Sequence, residues 1–322
     1  MIVAEQLIDY VLYNMKNIIL QLALTDVCPL DCSYCCMKFV SKENNKPKNN
    51  LLLDRIVDLI NYLVNKGYFI ELGSGWGEPL LIFNQIKYIF DRIERHDNIS
   101  FELLSSFSFD QKNDYKSVFS FLKKYITLFN NYDIPYVVRW SIHCEYLKSI
   151  DQIYSHYRRL KYVIPVKLIP MMMINTRKNI WQFKALQKRI PEIEYHLVLN
   201  NEGKCPLILS ADITNYELDI LKSLPYYVRG IHVVDRIFNK NFSFTGTKCH
   251  LPYEIAMMPD GRIARCTNDN CWTFDQFNSQ KVCKLLTEVT NEYVEQLATG
   301  GLICRHSECN ICVSDQVGVY DN

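Results

Sequence analysis

The sequence predicts an α/β protein with a parallel sheet and a small cysteine-rich C-terminal domain. Three observations carry this. From 17 to 235, apolar strand-like runs alternate with segments of helical period. The first run opens into "LTDVCPLDCSYCC", with four cysteines between Cys28 and Cys36. Beyond 240 the alternation stops, and seven of the thirteen cysteines follow in short segments.

Each element has its own local reason. "NIILQLAL" (17–24) is a short apolar run with β-branched residues, which reads as a buried strand. "LLLDRIVDLINYLVNKG" (51–67) is apolar at helical spacing and reaches a glycine where a helix would stop. "YFIELGS" (68–74) is the next strand and 82–96 the next helix. Strand 99–106, helix 115–130, strand 135–143 and helix 147–161 follow. Then come strand 163–174, helix 178–189, strand 193–199, helix 215–223 and strand 230–235. The alternation fits part of a (β/α) barrel and an open doubly wound sheet equally well; periodicity does not separate them.

The segment 237–250 has no helical period and reads as a connection, dividing the chain into 1–236 and 237–322. In the second part, Pro259-Asp260-Gly261 supplies a turn between two alternating runs, a hairpin. One amphipathic helix is expected, over 284–301. So little secondary structure is poorly equipped to fold on apolar burial alone, and bound metal would supply the missing stability. "SKENNKPKNN" (41–50) reads as an exposed polar loop.

Composition narrows the chemistry. Hydrophobic residues are 48% and charged residues 22%, ordinary for a globular chain with a sizeable core. A net charge of +1 and the lack of a long basic run argue against a nucleic-acid partner. No apolar run is long enough for a membrane span, and the first residues lack the basic-then-apolar order of a secretory signal. A reducing, cytoplasmic location is therefore expected, where clustered cysteines more often mean metal or catalysis than disulfides.

Three thiols, Cys28, Cys32 and Cys35, are spaced C-x3-C-x2-C on the loop leaving the first strand. Close spacing lets one loop wrap several irons of a cluster. A zinc knuckle normally pairs two cysteines and needs two further ligands. A triad instead leaves the fourth iron of a [4Fe-4S] cluster open to a cofactor or substrate.

With Tyr34 before the last cysteine, this triad resembles that of the radical S-adenosylmethionine (SAM) enzymes, and the resemblance extends over 17–315. "SGWGEPLL" (74–81), at the second strand end, is similar to the family's Gly-Gly-Glu-Pro segment, which holds the amino group of SAM. Gly77, Glu78 and Pro79 match; Trp76, after Gly75, stands where the family has its first glycine. Ser105 lies where the family often has Thr-Asn-Gly, and Ser141, in "RWSIH", is placed like its ribose-contacting residue. The resemblance implies a partial (β/α)6 TIM-like barrel whose site lies at the C-terminal strand ends. It also implies that one electron, delivered by a reductant such as flavodoxin or ferredoxin, cleaves SAM to a 5′-deoxyadenosyl radical. That radical would take a hydrogen atom from a substrate.

Cys249, followed by Gly261 and Cys266, resembles the opening of the family's SPASM and Twitch extensions. The short tail suits the Twitch form, with one auxiliary [4Fe-4S] cluster on Cys249, Cys266, Cys309 and Cys312. Cys271 and Cys304 compete as ligands, and four thiolates suit zinc equally. Cys205 and Cys283 read as structural, and His250 and His306 as bystanders. Some relatives oxidise a cyclitol alcohol, while others epimerise or crosslink ribosomal peptides. With 27 residues before Cys28, no leader-binding domain is expected there, which favours a small polar substrate over a peptide. An epimerase needs a thiol donor, for which Cys144, Cys205 and Cys271 are candidates. A dehydrogenase needs a base, with His143, Arg139 and Arg236 eligible.

Overall fold

In the computed structural model the described residues are 17–25, 27–33, 50–74, 77–107, 115–164, 167–197, 214–222, 248–249, 254–264, 284–299 and 302–303. The chain alternates as expected. The run begins with β1 (Asn17–Leu22), α1 (Asn50–Asn65) and β2 (Phe69–Ser74). A 3-10 turn (Pro79–Ile82) then leads into α2 (Phe83–Phe90). Next come β3 (Ile99–Ser105), α3 (Tyr115–Asn131), β4 (Tyr136–Ile142), α4 (Ile150–Val163) and β5 (Leu168–Ile174). The series continues with α5 (Arg177–Gln187), β6 (Glu194–Leu197) and α6 (Asn215–Lys222). Strands β1 to β6 lie side by side in sequence order, every pair parallel. Each crossover carries a helix, as parallel pairing demands.

The two faces of this sheet differ. Ile18, Leu20, Ile70, Leu72, Phe101, Leu103, Val138, Trp140 and Ile142 join the helices in one continuous core. Because side chains alternate along a strand, the opposite face takes the intervening residues. That face holds Gln21, Glu71, Glu102, Arg139 and Glu194, with Arg139 bridging Glu102 at 2.8 Å and Glu194 at 2.5 Å. The same face also carries Leu104, Met171 and Met173, and the fold is a partial TIM-like barrel.

The C-terminal part contains β7 (Lys248–Cys249), β8 (Glu254–Met257), β9 (Arg262–Ala264) and β10 (Lys284–Leu285). A 3-10 turn (Leu286–Glu288), α7 (Asn291–Thr299) and β11 (Leu302–Ile303) complete it. The expected hairpin is present: β8 and β9 are antiparallel around Gly261, whose φ of +86° suits a residue without a Cβ. Its placement was not legible beforehand. β8 pairs parallel with β1, so the sheet runs β10-β9-β8-β1 to β6. Leu286, Val294 and Ala298 enter the main core, and Tyr62 and Tyr68 both donate to Glu295, at 2.6 and 2.8 Å.

One expected element is corrected. The helix read over 284–301 starts only at Asn291. Lys284 and Leu285 pair with Ile263 and Arg262 instead, and the Thr290 hydroxyl accepts from the Tyr293 amide at the start of α7. Strand pairing thus overrides a helical period that runs unbroken through the sequence. The strand expected over 230–235 lies outside the described residues, as does the loop 41–49.

Candidate active site

Four loops meet at the C-terminal ends of β1 to β4, and hydrogen bonds join them in a chain. The first link runs between the loops after β1 and β2. The Glu78 amide donates to the Val27 carbonyl at 2.8 Å, and the Val27 amide donates to Thr25 Oγ1 at 3.1 Å. Gly77 makes this approach possible. Its φ is +68°, and a Cβ there would sit 2.7 Å from both the Thr25 and Val27 carbonyl oxygens. No other residue fits both the conformation and the space.

The second link is the Glu78 side chain, which is buried at 1% exposure. Ser105 Oγ donates to Oε1 at 2.6 Å, Ser106 Oγ to Oε2 at 2.7 Å and the Ser106 amide to Oε2 at 3.1 Å. The Leu80 amide adds a weaker bond to Oε1 at 3.3 Å, which caps the 3-10 turn. Burial pushes this carboxyl up, and the four donors pull it back. The Glu78 side chain therefore ties the β2 loop to the end of β3 and is fully engaged in doing so. Ser105 spends its hydroxyl on Glu78 and accepts from the Phe107 amide at 2.9 Å.

The third link joins the cysteine loop to the turn after β4. Asp31 donates its amide to Tyr146 Oη at 2.5 Å, and Ser33 donates its amide to Glu145 Oε2 at 2.8 Å. Ser33 Oγ also bonds Glu145. Between them, Cys32 Sγ lies 3.3 Å from His143 Nδ1. The Cys32 thiol is buried at 4% exposure against Met171 and Met173 of β5, with Leu30 and Leu104 alongside. Burial holds the His143 imidazole down at about 4, against a smaller upward pull from Glu145.

The expected site residues thus fall into groups. Cys28, Cys32, Gly77, Glu78, Pro79, Ser105, Ser141 and His143 all lie at one end of the sheet. Ser141 is buried on the inner face of β4. Cys144 faces the other way, packed on the helix-side core, and burial pushes its thiol up to about 12. Arg139 is held by two carboxylates and is poorly suited to act as a base. Tyr34, Cys35, Gly75, Trp76, Cys205, Arg236, Cys266, Cys271, Cys304, Cys309 and Cys312 lie outside the described residues. Cys249 closes β7, whose partner β11 ends one residue before Cys304.

Sequence reasoning missed Ser106, Glu145 and Tyr146. The contacts to the cysteine loop span 111 to 115 residues, beyond any local pattern. Their one available signal was position, directly after strands whose ends already carried candidate residues.

Comparison with known proteins agrees with this geometry. Residues 22–132, which include the cysteine loop and the Gly77-Glu78-Pro79 turn, match the model of the Radical SAM superfamily. This segment is similar to the radical SAM domain. No curated protein matches the chain. Among solved structures, native anSMEcpe with bound AdoMet is similar over 93% of both chains, at 15% identity and a TM-score of 0.52. The form with bound AdoMet and Cp18Cys peptide is similar over 93% of this chain and 92% of that one, at 14% identity and 0.51. These likenesses concern the fold. BtrN in complex with AdoMet and 2-DOIA aligns at 12% identity over 88% and 87% of the chains, with a TM-score of 0.37.

A radical SAM domain would carry a [4Fe-4S] cluster and SAM. The donor set fits: two thiols of an all-thiolate triad sit on one loop at the barrel mouth, and an apolar methionine wall excludes competing oxygen ligands. Among the described residues no group of three cysteine, histidine or carboxylate side chains converges on one point, Cys35 being outside them. The auxiliary-site thiols give no comparable test.

Proposed function

We propose that this protein is a radical SAM enzyme that abstracts a hydrogen atom from a small polar substrate. Cys28, Cys32 and Cys35 would hold the [4Fe-4S] cluster, with SAM on its open iron. When bound, the cluster supplies the electron that splits SAM into methionine and a 5′-deoxyadenosyl radical, which takes hydrogen from the substrate. The observation that carries the reading is the hydrogen bond between Glu78 and Val27, which fixes the SAM-binding turn against the residue preceding Cys28.

The chain's own residues have assignable tasks. The segment Gly75-Trp76-Gly77-Glu78-Pro79 would hold the methionine end of SAM. Ser141, on the inner wall of β4, is the ribose-facing residue. The inner face carries Glu71, Glu102, Arg139 and Glu194, and this charged lining supports a polar substrate even though Arg139 already pairs with Glu102 and Glu194. Dehydrogenation and epimerisation both fit. In the second domain, 237–322, Cys249, Cys266, Cys309 and Cys312 form the auxiliary [4Fe-4S] site, in the manner of Twitch extensions. The physiological reductant is a flavodoxin or ferredoxin, and the enzyme works in the reducing cytoplasm. Among the described residues no helix is long and apolar enough to cross a membrane.

The test is formation of 5′-deoxyadenosine and methionine from SAM by the reconstituted, reduced protein. Equal amounts of both products are expected, with neither formed by a Cys28/Cys32/Cys35→Ala variant. Wild-type protein that holds a full triad cluster yet leaves SAM intact would overturn the reading. A second round, with libraries of polyols, aminosugars and short peptides, then separates the substrate classes by deuterium transfer into 5′-deoxyadenosine.

A further inference from the structure

We infer that His143 is a positioning residue that sets the reduction potential of the cluster through a hydrogen bond to Cys32. The inference rests on the radical SAM reading of the cysteine triad and adds to it a residue outside that triad.

The contact is 3.3 Å from Nδ1 to Sγ, within the range of an N–H···S hydrogen bond. A thiolate bound to iron carries no proton and can only accept. The imidazole must therefore present Nδ1–H to it. Such a bond draws negative charge off the sulfur. Reduction adds a further negative charge to the cluster, so the reduced state gains more from the bond and the potential rises.

The neighbourhood makes this bond matter. Among the described residues, the two amides on either side of Cys32 are spent elsewhere. The Asp31 amide goes to Tyr146 and the Ser33 amide to Glu145. The apolar side chains packed on Cys32 are Met171, Met173, Leu30 and Leu104, and none of these four donates a proton. Glu145 and Tyr146 pin the loop on either side of Cys32, beside the imidazole. A three-point attachment from 143–146 to 31–33 also fixes the loop laterally, so the bond length is not free to relax.

The test compares wild type, His143→Leu and His143→Asn after anaerobic reconstitution. Leucine keeps much of the volume and removes the donor. Asparagine can place its amide nitrogen near the position of Nδ1. The triad cluster is followed by EPR during a redox titration, as the signal missing from the Cys28/Cys32/Cys35→Ala variant. Its midpoint should move to more negative potential in His143→Leu and return toward wild type in His143→Asn. Reduced wild-type protein labelled with ¹⁵N-histidine should also show a nitrogen coupling that His143→Asn lacks.

Equal potentials at equal iron content in wild type and His143→Leu would overturn the inference, as would equal shifts in both variants. If His143→Leu fails to take up iron, the ¹⁵N coupling in wild type decides: its presence supports the bond and its absence refutes it. If wild type itself assembles no triad cluster, the radical SAM reading fails and the inference falls with it. That outcome is distinguished by iron content alone.

Discussion

Replacing Glu78 tests how the SAM turn is held. Its carboxylate collects four donors at 1% exposure, two of them backbone amides that cannot rotate away. Glu78→Leu removes the acceptor and keeps similar bulk. The Ser105 and Ser106 hydroxyls can turn to new partners, but the Ser106 and Leu80 amides cannot. Each buried donor left unpaired costs about 1–3 kcal/mol. The Leu80 bond, at 3.3 Å, lies at the low end, so the two together cost about 3–4 kcal/mol. Relief from burying a carboxylate offsets part of this, because burial already pushes the Glu78 carboxyl up. A net loss of about 2–3 kcal/mol remains. At about 2 °C per kcal/mol for a chain of this size, the melting midpoint should fall by about 4–6 °C.

Glu78→Gln keeps one oxygen and can aim it at Ser106, losing the acceptor for Ser105 and Leu80, of which only the Ser105 hydroxyl can turn to accept from the new amide. It should lose about half as much. Differential scanning calorimetry of the apo proteins measures both, so cluster loading does not enter. Glu78→Leu melting within a degree of wild type would refute the idea that this carboxylate locks the turn. So would Glu78→Gln being the more damaging of the two.

Two other changes test neighbouring parts. Gly77→Ala puts a Cβ 2.7 Å from two carbonyl oxygens at a φ of +68°, so it should cost at least about 2 kcal/mol. It should also break the Glu78–Val27 bond and weaken SAM binding in equilibrium dialysis; unchanged stability and affinity would contradict the packing described. His156 stacks on Trp140, and burial, aided by Arg159, holds its imidazole at about 4. Its folded value lies below the unfolded one, so its contribution is fully present above pH 6.5 and is lost as pH falls toward 4, by on the order of 3 kcal/mol at most. His156→Phe should flatten denaturant stability across that window, leaving the part due to His143, and an unchanged profile would contradict this.

What the sequence made legible was local. Strands such as 17–22 announce themselves as short apolar, β-branched runs, and the cysteine triad by spacing alone. Gly77 is marked only by its match to the family's Gly-Gly-Glu-Pro segment, not by any local turn signal. The long-range pairings were not legible. Nothing in "EIAM" says that β8 lies parallel to β1, since an edge strand can take either neighbour. The helix expected from residue 284 failed for a related reason: Lys284 and Leu285 satisfy helical period and strand pairing alike, and the open edge of β9 decides. At the site, the cysteine loop gives no hint that it rests on Glu145 and Tyr146, because that contact is created by the barrel. Glu78 was legible as a site residue but not in its role, which depends on two serines nearly thirty residues on.

The most direct test of the central claim is iron and sulfide content after anaerobic reconstitution, in wild type and in Cys28/Cys32/Cys35→Ala. Two [4Fe-4S] clusters predict about eight irons per chain, falling to about four in the variant. Iron content that is the same in both proteins would contradict the assignment of the triad. Zinc in both sites with no iron would contradict the radical SAM chemistry itself.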